Sequence, residues 1–246
     1  MKLFRTILFL PLLALILSGC SNSTHYERVY IPKQGPHRTK EKVTLAPLIP
    51  KEDTRLLIVI DAGHGGKDEG TKCPVNPKYQ EKDMTLSTAR MLDEILQGFG
   101  YQTIMTRKDD RFIELSDRAK FANDRRPKLF VSVHYNAADN RAAKGIEVYY
   151  YKSEKDRLRS EESKKLAASV LDTVISSTKA KSRGVKHGNF AVIRETNMPA
   201  ILVEGGFMTN NEEMIKIRDA SYMKKIAWGI AQGIKNYLNQ SLHGNK

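Results

Sequence analysis

Hydrophobic and polar positions along this chain follow two periods, one of strands and one of helices. Leu56–Ile60 is a continuous apolar run ending in Asp61-Ala62-Gly63-His64-Gly65-Gly66, the pattern of a buried strand entering a glycine-rich turn. Leu86, Ala89, Leu92, Leu96 and Phe99 recur every three or four positions, which predicts one face of a helix stopped by Gly98 and Gly100. Tyr101–Thr106 reads as a short strand and Leu115–Arg126 as a helix ended by Pro127. Leu129, Val131 and Val133 alternate with Phe130, Ser132 and His134 in another strand. Gly145–Tyr151, Phe190–Ile193 and Ala200–Val203 read as further strands. Glu161–Ser177 reads as a helix, and Ile226, Ile230, Ile234 and Leu238 set the period of a long closing helix. Alternating strands and helices predict an α/β fold: a single domain with a mostly parallel or mixed twisted sheet and helices on both faces. Residues 55–240 form that domain, and 241–246 form a C-terminal tail.

The N-terminal region has neither period. Lys2 and Arg5 precede an apolar run from Ile7 to Leu17, interrupted by Pro11 and followed by Ser18-Gly19-Cys20. A basic start, a short apolar run and small residues are the marks of a secretory signal, here residues 1–19. The run is too short for a comfortable membrane span. Residues 20–54 hold Pro32, Gly35, Pro36, Pro47 and Pro50 among polar positions, the composition of a tether. As a loose coil it reaches on the order of 30 Å.

Leu17-Ser18-Gly19-Cys20 resembles the lipobox of bacterial lipoproteins. The resemblance implies cleavage before Cys20 and lipidation of its thiol, hence stable attachment to a membrane, because several acyl chains hold where one is marginal. The chain is then exported and lipid-anchored, facing the periplasm or cell wall. In the lipoprotein pattern an aspartate after the cysteine retains the protein at the inner membrane; Ser21 stands there instead and weakly favours the outer membrane. A lipidated Cys20 leaves Cys73 with no disulfide partner.

Composition narrows the picture. The 246 residues are 40% hydrophobic and 28% charged, which excludes a disordered or collagen-like chain. A mean hydropathy of −0.47 excludes a multi-span membrane protein. The formal charge is +13, and removal of the signal lowers it by two. Outside the cytoplasm such a chain meets little nucleic acid, so none is expected as a partner; its anionic neighbours are wall polymers and lipid head groups. A solvated basic surface with no special partner fits the charge equally well.

In an open α/β sheet, ligand groups gather where strands end. Four segments put polar residues there or at a helix start: Asp61–Gly66, Glu81, His134-Tyr135-Asn136 and Glu204-Gly205-Gly206. Two histidines and a carboxylate suit a zinc ion with an open fourth position, and a second carboxylate suits proton transfer. The spacing is not specific by itself. Glu81 also suits a helix cap, and Glu204 a buried structural acid. Asp61 reads as a residue that orients His64 or holds the turn. Cys73 is a further metal-capable side chain, more simply a free loop thiol, and His187 lies in a loop that can border the site.

The surrounding words are specific. Leu57–Gly66, Glu81-Lys82-Asp83, Ser132–Asn136 and Leu202-Val203-Glu204-Gly205-Gly206-Phe207 follow in order. Between them stand Thr106-Arg107 with Asp110, Leu115 to Arg118 with Ala122-Asn123, and Gly145-Ile146-Glu147-Val148-Tyr149. Over about Leu56 to Leu238 the chain resembles the zinc-dependent N-acetylmuramoyl-L-alanine amidases of the cell-wall hydrolase type. The resemblance implies Zn2+ held by His64, Glu81 and His134, with Glu204 as the catalytic carboxylate and Asn136 touching substrate. It implies hydrolysis of the amide joining muramic acid to L-alanine, in peptidoglycan or a muropeptide, for remodelling of the wall or septum. Some members carry a long helical insertion after the Gly-Ile-Glu-Val-Tyr strand that blocks the zinc until an activator protein binds. Here Ser153–Lys165 is charged, leads straight into the next helix and reads as a solvated face.

Other chemistries have weaker support. Ser176-Ser177-Thr178-Lys179 and Ser221-Tyr222-Met223-Lys224 have the Ser-x-x-Lys spacing of penicillin-binding proteins, but no Lys-Thr-Gly follows. A non-enzymatic peptidoglycan binder is expected to lose one of the four site residues, and all four are present. Within zinc chemistry a carboxypeptidase is the main rival, separated by its products.

Overall fold

A computed structural model describes residues 56–243 apart from 75 and 77. The signal, Cys20, the tether and residues 244–246 lie outside the described residues. The elements are β1 (Leu57–Ala62), α1 (Glu81–Gly98), β2 (Gln102–Met105), α2 (Leu115–Arg125), β3 (Leu129–Asn136), β4 (Ile146–Tyr150), α3 (Arg157–Thr178), β5 (Ser182–His187), α4 (Ala191–Arg194), β6 (Ala200–Phe207), α5 (Asn211–Ile217) and α6 (Ala220–His243). The closing helix thus runs past the domain end read at residue 240.

The strands form one sheet in the order β2-β1-β3-β6-β4-β5. β1, β2, β3 and β6 are mutually parallel; β4 is antiparallel to β6, and β5 is parallel to β4. The sheet is therefore mixed. One face carries Ile58, Ile60, Val131, Val133, Val148, Ile201 and Val203, packed under α1, α3 and α6. The other carries Val59, Phe130, Ala200 and Leu202, covered by Ala122 of α2 and Val192 and Ile193 of α4. Alternation along each strand separates the two sets.

Two local readings change. Phe190–Ile193, taken as a strand, is the start of α4: the Phe190 carbonyl accepts from the N–H groups of Ile193 and Arg194. A four-residue apolar run carries too little period to tell the two apart. Ser182–His187 is a strand that the sequence hides, because as an edge it buries little and Val185 is its one large apolar residue. The charged stretch before the third helix joins it from Arg157, with the Asp156 side chain capping the helix at Arg159 N–H.

Helices α3 and α6 meet backbone to backbone. A Cβ at Gly233 would lie 2.4 Å from Val170 Cα, and one at Gly229 would lie 2.5 Å from Val174 Cα. At that range Ser169 and Thr173 donate to the carbonyls of Gly233 and Gly229. Ser177 likewise donates to the Lys225 carbonyl.

Candidate functional site

The chain leaves β1 through a turn that demands unusual backbone. His64 has φ +60°, followed by Gly65 at +127° and Gly66 at +59°. A non-glycine residue at positive φ is strained and persists only where its surroundings fix it. They do so here. Arg118 donates to the carbonyls of Ala62 and His64, and Arg107 to those of Ala62 and Gly63. Both guanidinium groups are buried. Asp61 answers Arg118 at 3.0 Å and accepts from Thr106 and Ser132 hydroxyls. Burial alone raises the Asp61 carboxyl pKa, but Arg118 and the two hydroxyls outweigh it and hold it below the usual range. Asp61 therefore holds the turn and makes no hydrogen bond to His64. Lys82 and Asp110 clamp Gly66 through its carbonyl and N–H.

Gly63 carries no side chain because the His134 ring lies where one would go, 2.3 Å from a built Cβ. This close approach brings two histidines from separate strand ends together, their rings 4.9 Å apart and edge to face. Glu81, the first residue of α1, points its carboxylate between them. Its Oε1 lies 3.0 Å from His64 Nε2 and 3.1 Å from His134 Nδ1. The Tyr135 and Thr71 N–H groups donate to the same carboxylate. Burial opposes ionisation of Glu81, yet the two imidazoles hold its pKa well below the ordinary range. The His64 pKa is lowered by burial but raised more by Glu81 and Asp68, for a net rise.

Asp68 is a residue that sequence reasoning missed. Its Oδ1 lies 2.9 Å from His64 Nδ1. With the proton on Nδ1, Nε2 is left as a lone-pair donor facing Glu81. The only sequence signal was an aspartate four positions after His64, within the same turn.

Glu204 sits on β6 directly beside His134, the two being register partners on parallel strands. A bulge follows: Asn136 pairs with Phe207, so Gly205 and Gly206 are accommodated opposite Tyr135. A Cβ at Gly205 would meet the Tyr135 ring at 2.8 Å. Glu204 Oε2 is buried and, among the described residues, is the one such side-chain atom with no hydrogen-bond partner. Burial, then the charges of Glu81 and Glu147, push its pKa well above that of an ordinary carboxylate.

Glu147 was read only as part of a word. It faces Glu204 across the β4–β6 pair. It accepts from Asn136 Nδ2, the Tyr149 hydroxyl, Arg183 and Lys186. Asn136, expected to touch substrate, thus places its amide against Glu147.

The remaining candidates lie apart from this cluster. Cys73 is a buried free thiol within the apolar core. His187 accepts from Lys152 N–H at the far end of β5, where it pairs with Tyr150. Tyr150 is three residues, or about 10 Å, along β4 from the Glu147–Glu204 row. Ser176 lies within α3, and Ser221 on the first turn of α6.

His64, Glu81 and His134 each offer a ligand atom within 4.8 Å of the others. Two imidazole nitrogens and one carboxylate oxygen are a donor set of hydrolytic zinc, which leaves a position for water. The unpartnered Glu204 oxygen fits the same reading, since a buried carboxylate oxygen calls for a cation or a water beside it.

Comparison with known proteins agrees with this geometry. Residues 58–236 match the family described as N-acetylmuramoyl-L-alanine amidase, Amidase_3. The chain is 34% identical over 183 residues to the uncharacterized protein YqiI of Bacillus subtilis, covering 74% of this chain and 85% of YqiI. It is 31% identical over 182 residues to the probable cell wall amidase LytH of Staphylococcus epidermidis, where the match covers 74% of this chain and only 58% of LytH. The crystal structure of N-acetylmuramoyl-L-alanine amidase from Clostridium difficile 630 superposes with a TM-score of 0.71 at 40% identity, covering 75% of this chain and 97% of that one.

Proposed function

The chain belongs to the N-acetylmuramoyl-L-alanine amidase family of cell-wall hydrolases, and from that premise we propose the reaction, the metal and the division of labour among its side chains. The substrate is peptidoglycan or a muropeptide, and the bond cut is the amide between the lactyl group of N-acetylmuramic acid and L-alanine. His64, Glu81 and His134 are the residues that would hold zinc. A zinc ion there supplies Lewis-acid polarisation of the amide carbonyl and a more acidic water.

This chain's own residues do the rest. Asp68 fixes the tautomer of His64 through Nδ1. Arg107 and Arg118 hold the strained turn that presents the ring. Glu204 accepts the proton of the attacking water and passes it to the departing L-alanine nitrogen. The observation that carries this reading is the unpartnered Glu204 oxygen beside a converging His-Glu-His group. Digestion of purified peptidoglycan, with and without a chelator, tests it. Stem peptides with a free L-alanine amino group are expected, and chelator should stop their release. Released terminal amino acids would mean carboxypeptidase action instead.

Export and lipidation of Cys20 belong to the same proposal and rest on Leu17-Ser18-Gly19-Cys20. They place the enzyme at a membrane surface facing the periplasm or wall, the outer membrane where one exists, on a tether of residues 20–54.

A further inference from the structure

The β5 edge carries a feature that the hydrolytic chemistry does not use. Ile146 pairs with Ser182 and Val148 with Val185, so Arg183 and Gly184 together stand opposite Glu147. This is a one-residue bulge, with Gly184 at φ +87°. In a regular strand Arg183 and Lys186, three positions apart, would point to opposite faces. The bulge turns both onto the face of Glu147. That face continues through Glu204 to His134 in cross-strand register. One row therefore runs from the histidine through two carboxylates to a pair of cations.

Arg183 is anchored without being used up. Its Nε donates to Glu147 Oε2 at 2.8 Å, and its guanidinium lies 4.8 Å from the Phe207 ring centroid. Gly145 makes room for its stem, since a Cβ there would come within 3.0 Å of Arg183 Cγ. Nη1 and Nη2 have no hydrogen-bond partner among the described residues, and the side chain is 31% exposed. Lys186 shares the same Glu147 oxygen, so one carboxylate answers two cations. A planar fork held from behind, with its outer donors open, is the geometry that takes a carboxylate bidentately.

We propose that Arg183 is the specificity-determining receptor for a carboxylate on the peptide side of the scissile amide, with Glu147 and the Gly184 bulge as its mount. The inference rests on the amidase reading. In that substrate the lactyl carboxyl is tied up in the amide, and the sugar near it offers only neutral groups. The nearest free anion is the α-carboxylate of the γ-linked glutamate after L-alanine. Two strand spacings, about 10 Å, separate Glu204 from β5. An extended dipeptide spans about 7 Å, so an arginine side chain covers the remainder.

The test compares muramoyl peptides whose γ-linked second residue bears either the free α-carboxylate or its carboxamide. The ratio of kcat/KM between the two is the readout. The zinc-loaded parent chain should favour the carboxylate by about tenfold or more, the scale of a charge-assisted hydrogen-bonded pair. Arg183→Met should bring the ratio to within about twofold of one. Should that variant fail to fold, Arg183→Lys gives the same reading: a single ammonium keeps the sign of the preference and shrinks it. A parent ratio near one, or a parental ratio in whichever variant folds, overturns the proposal, because a merely structural arginine would affect both substrates alike. Release of stem peptide from neither substrate overturns the amidase reading itself, and the proposal with it.

Discussion

Asp68 Oδ1 and His64 Nδ1 lie 2.9 Å apart, on the side of the imidazole away from Glu81. The contact fixes which nitrogen carries the proton. Replacing Asp68 with Ala frees the ring to turn or change tautomer, and zinc affinity should fall by about 10–100-fold. Competition with a chelating dye measures it. Unchanged affinity would leave Asp68 with a role in the turn alone.

The two glutamates should separate cleanly. Glu81→Gln removes the anionic donor and should lower zinc per chain. Glu204→Gln should keep zinc near full occupancy and lower stem-peptide release by at least about 10²-fold, the lower end of general-base assistance. Metal content and rate, measured on the same preparations, decide the matter; metal lost from Glu204→Gln and kept by Glu81→Gln would reverse the roles.

Glu204 also gives the metal-free chain a pH dependence. Burial raises its folded pKa above the unfolded value of about 4.3. Below that pH both states hold the proton, and the advantage of the neutral folded form is fully present. As pH rises toward the folded value, unfolding releases a proton and stability falls. Glu204→Gln cannot ionise, so between pH 4 and pH 8 it should lose less stability than the metal-free parent. Urea midpoints at both pH values check this, and parallel curves would count against the placement of the carboxylate.

Asp61 should matter to folding before it matters to chemistry. Asp61→Ala leaves Arg118 buried without its counter-charge and removes the acceptor of two hydroxyls. A loss of about 3–5 kcal/mol is expected by denaturant unfolding. Near-parental stability would mean that water or a carbonyl replaces the carboxylate.

Cys20→Ala tests the anchor. If the thiol carries lipid, the variant should leave the membrane fraction while purified enzyme keeps its rate on soluble muropeptides. Fractionation followed by immunoblot reads the first, and product release the second.

Much of this was legible in the sequence, for a physical reason. β1, α1, β3 and α6 are buried along one side or both, so burial writes its period into their apolar residues. His64 follows β1, Glu81 opens α1, and His134 and Glu204 lie in the second halves of β3 and β6, with glycines where close packing requires them, as at Gly63 beneath His134 and Gly205 beneath Tyr135. What stayed hidden depends on tertiary contact. Asp68 and Asp61 are both aspartates near His64, and only the folded turn shows that the first binds the ring while the second binds Arg118. Glu147 and Arg183 meet because of a bulge on an edge strand whose sequence is mostly polar. α4 was misread because Val192 and Ile193 suit either conformation, and the Phe190 carbonyl settles the choice.

Among the described residues, the last strand in sequence lies in the interior of the sheet. β6 joins β3 to β4, so β2-β1-β3 and β4-β5 remain unconnected by strand pairing until residues 200–207 arrive. Pairing between segments so distant in sequence forms slowly. The sheet is therefore completed only when β6 is in place. Glu204 comes with that same strand, so the carboxylate proposed to move the proton is delivered by the step that closes the sheet. A copy that ends before residue 200 lacks both at once.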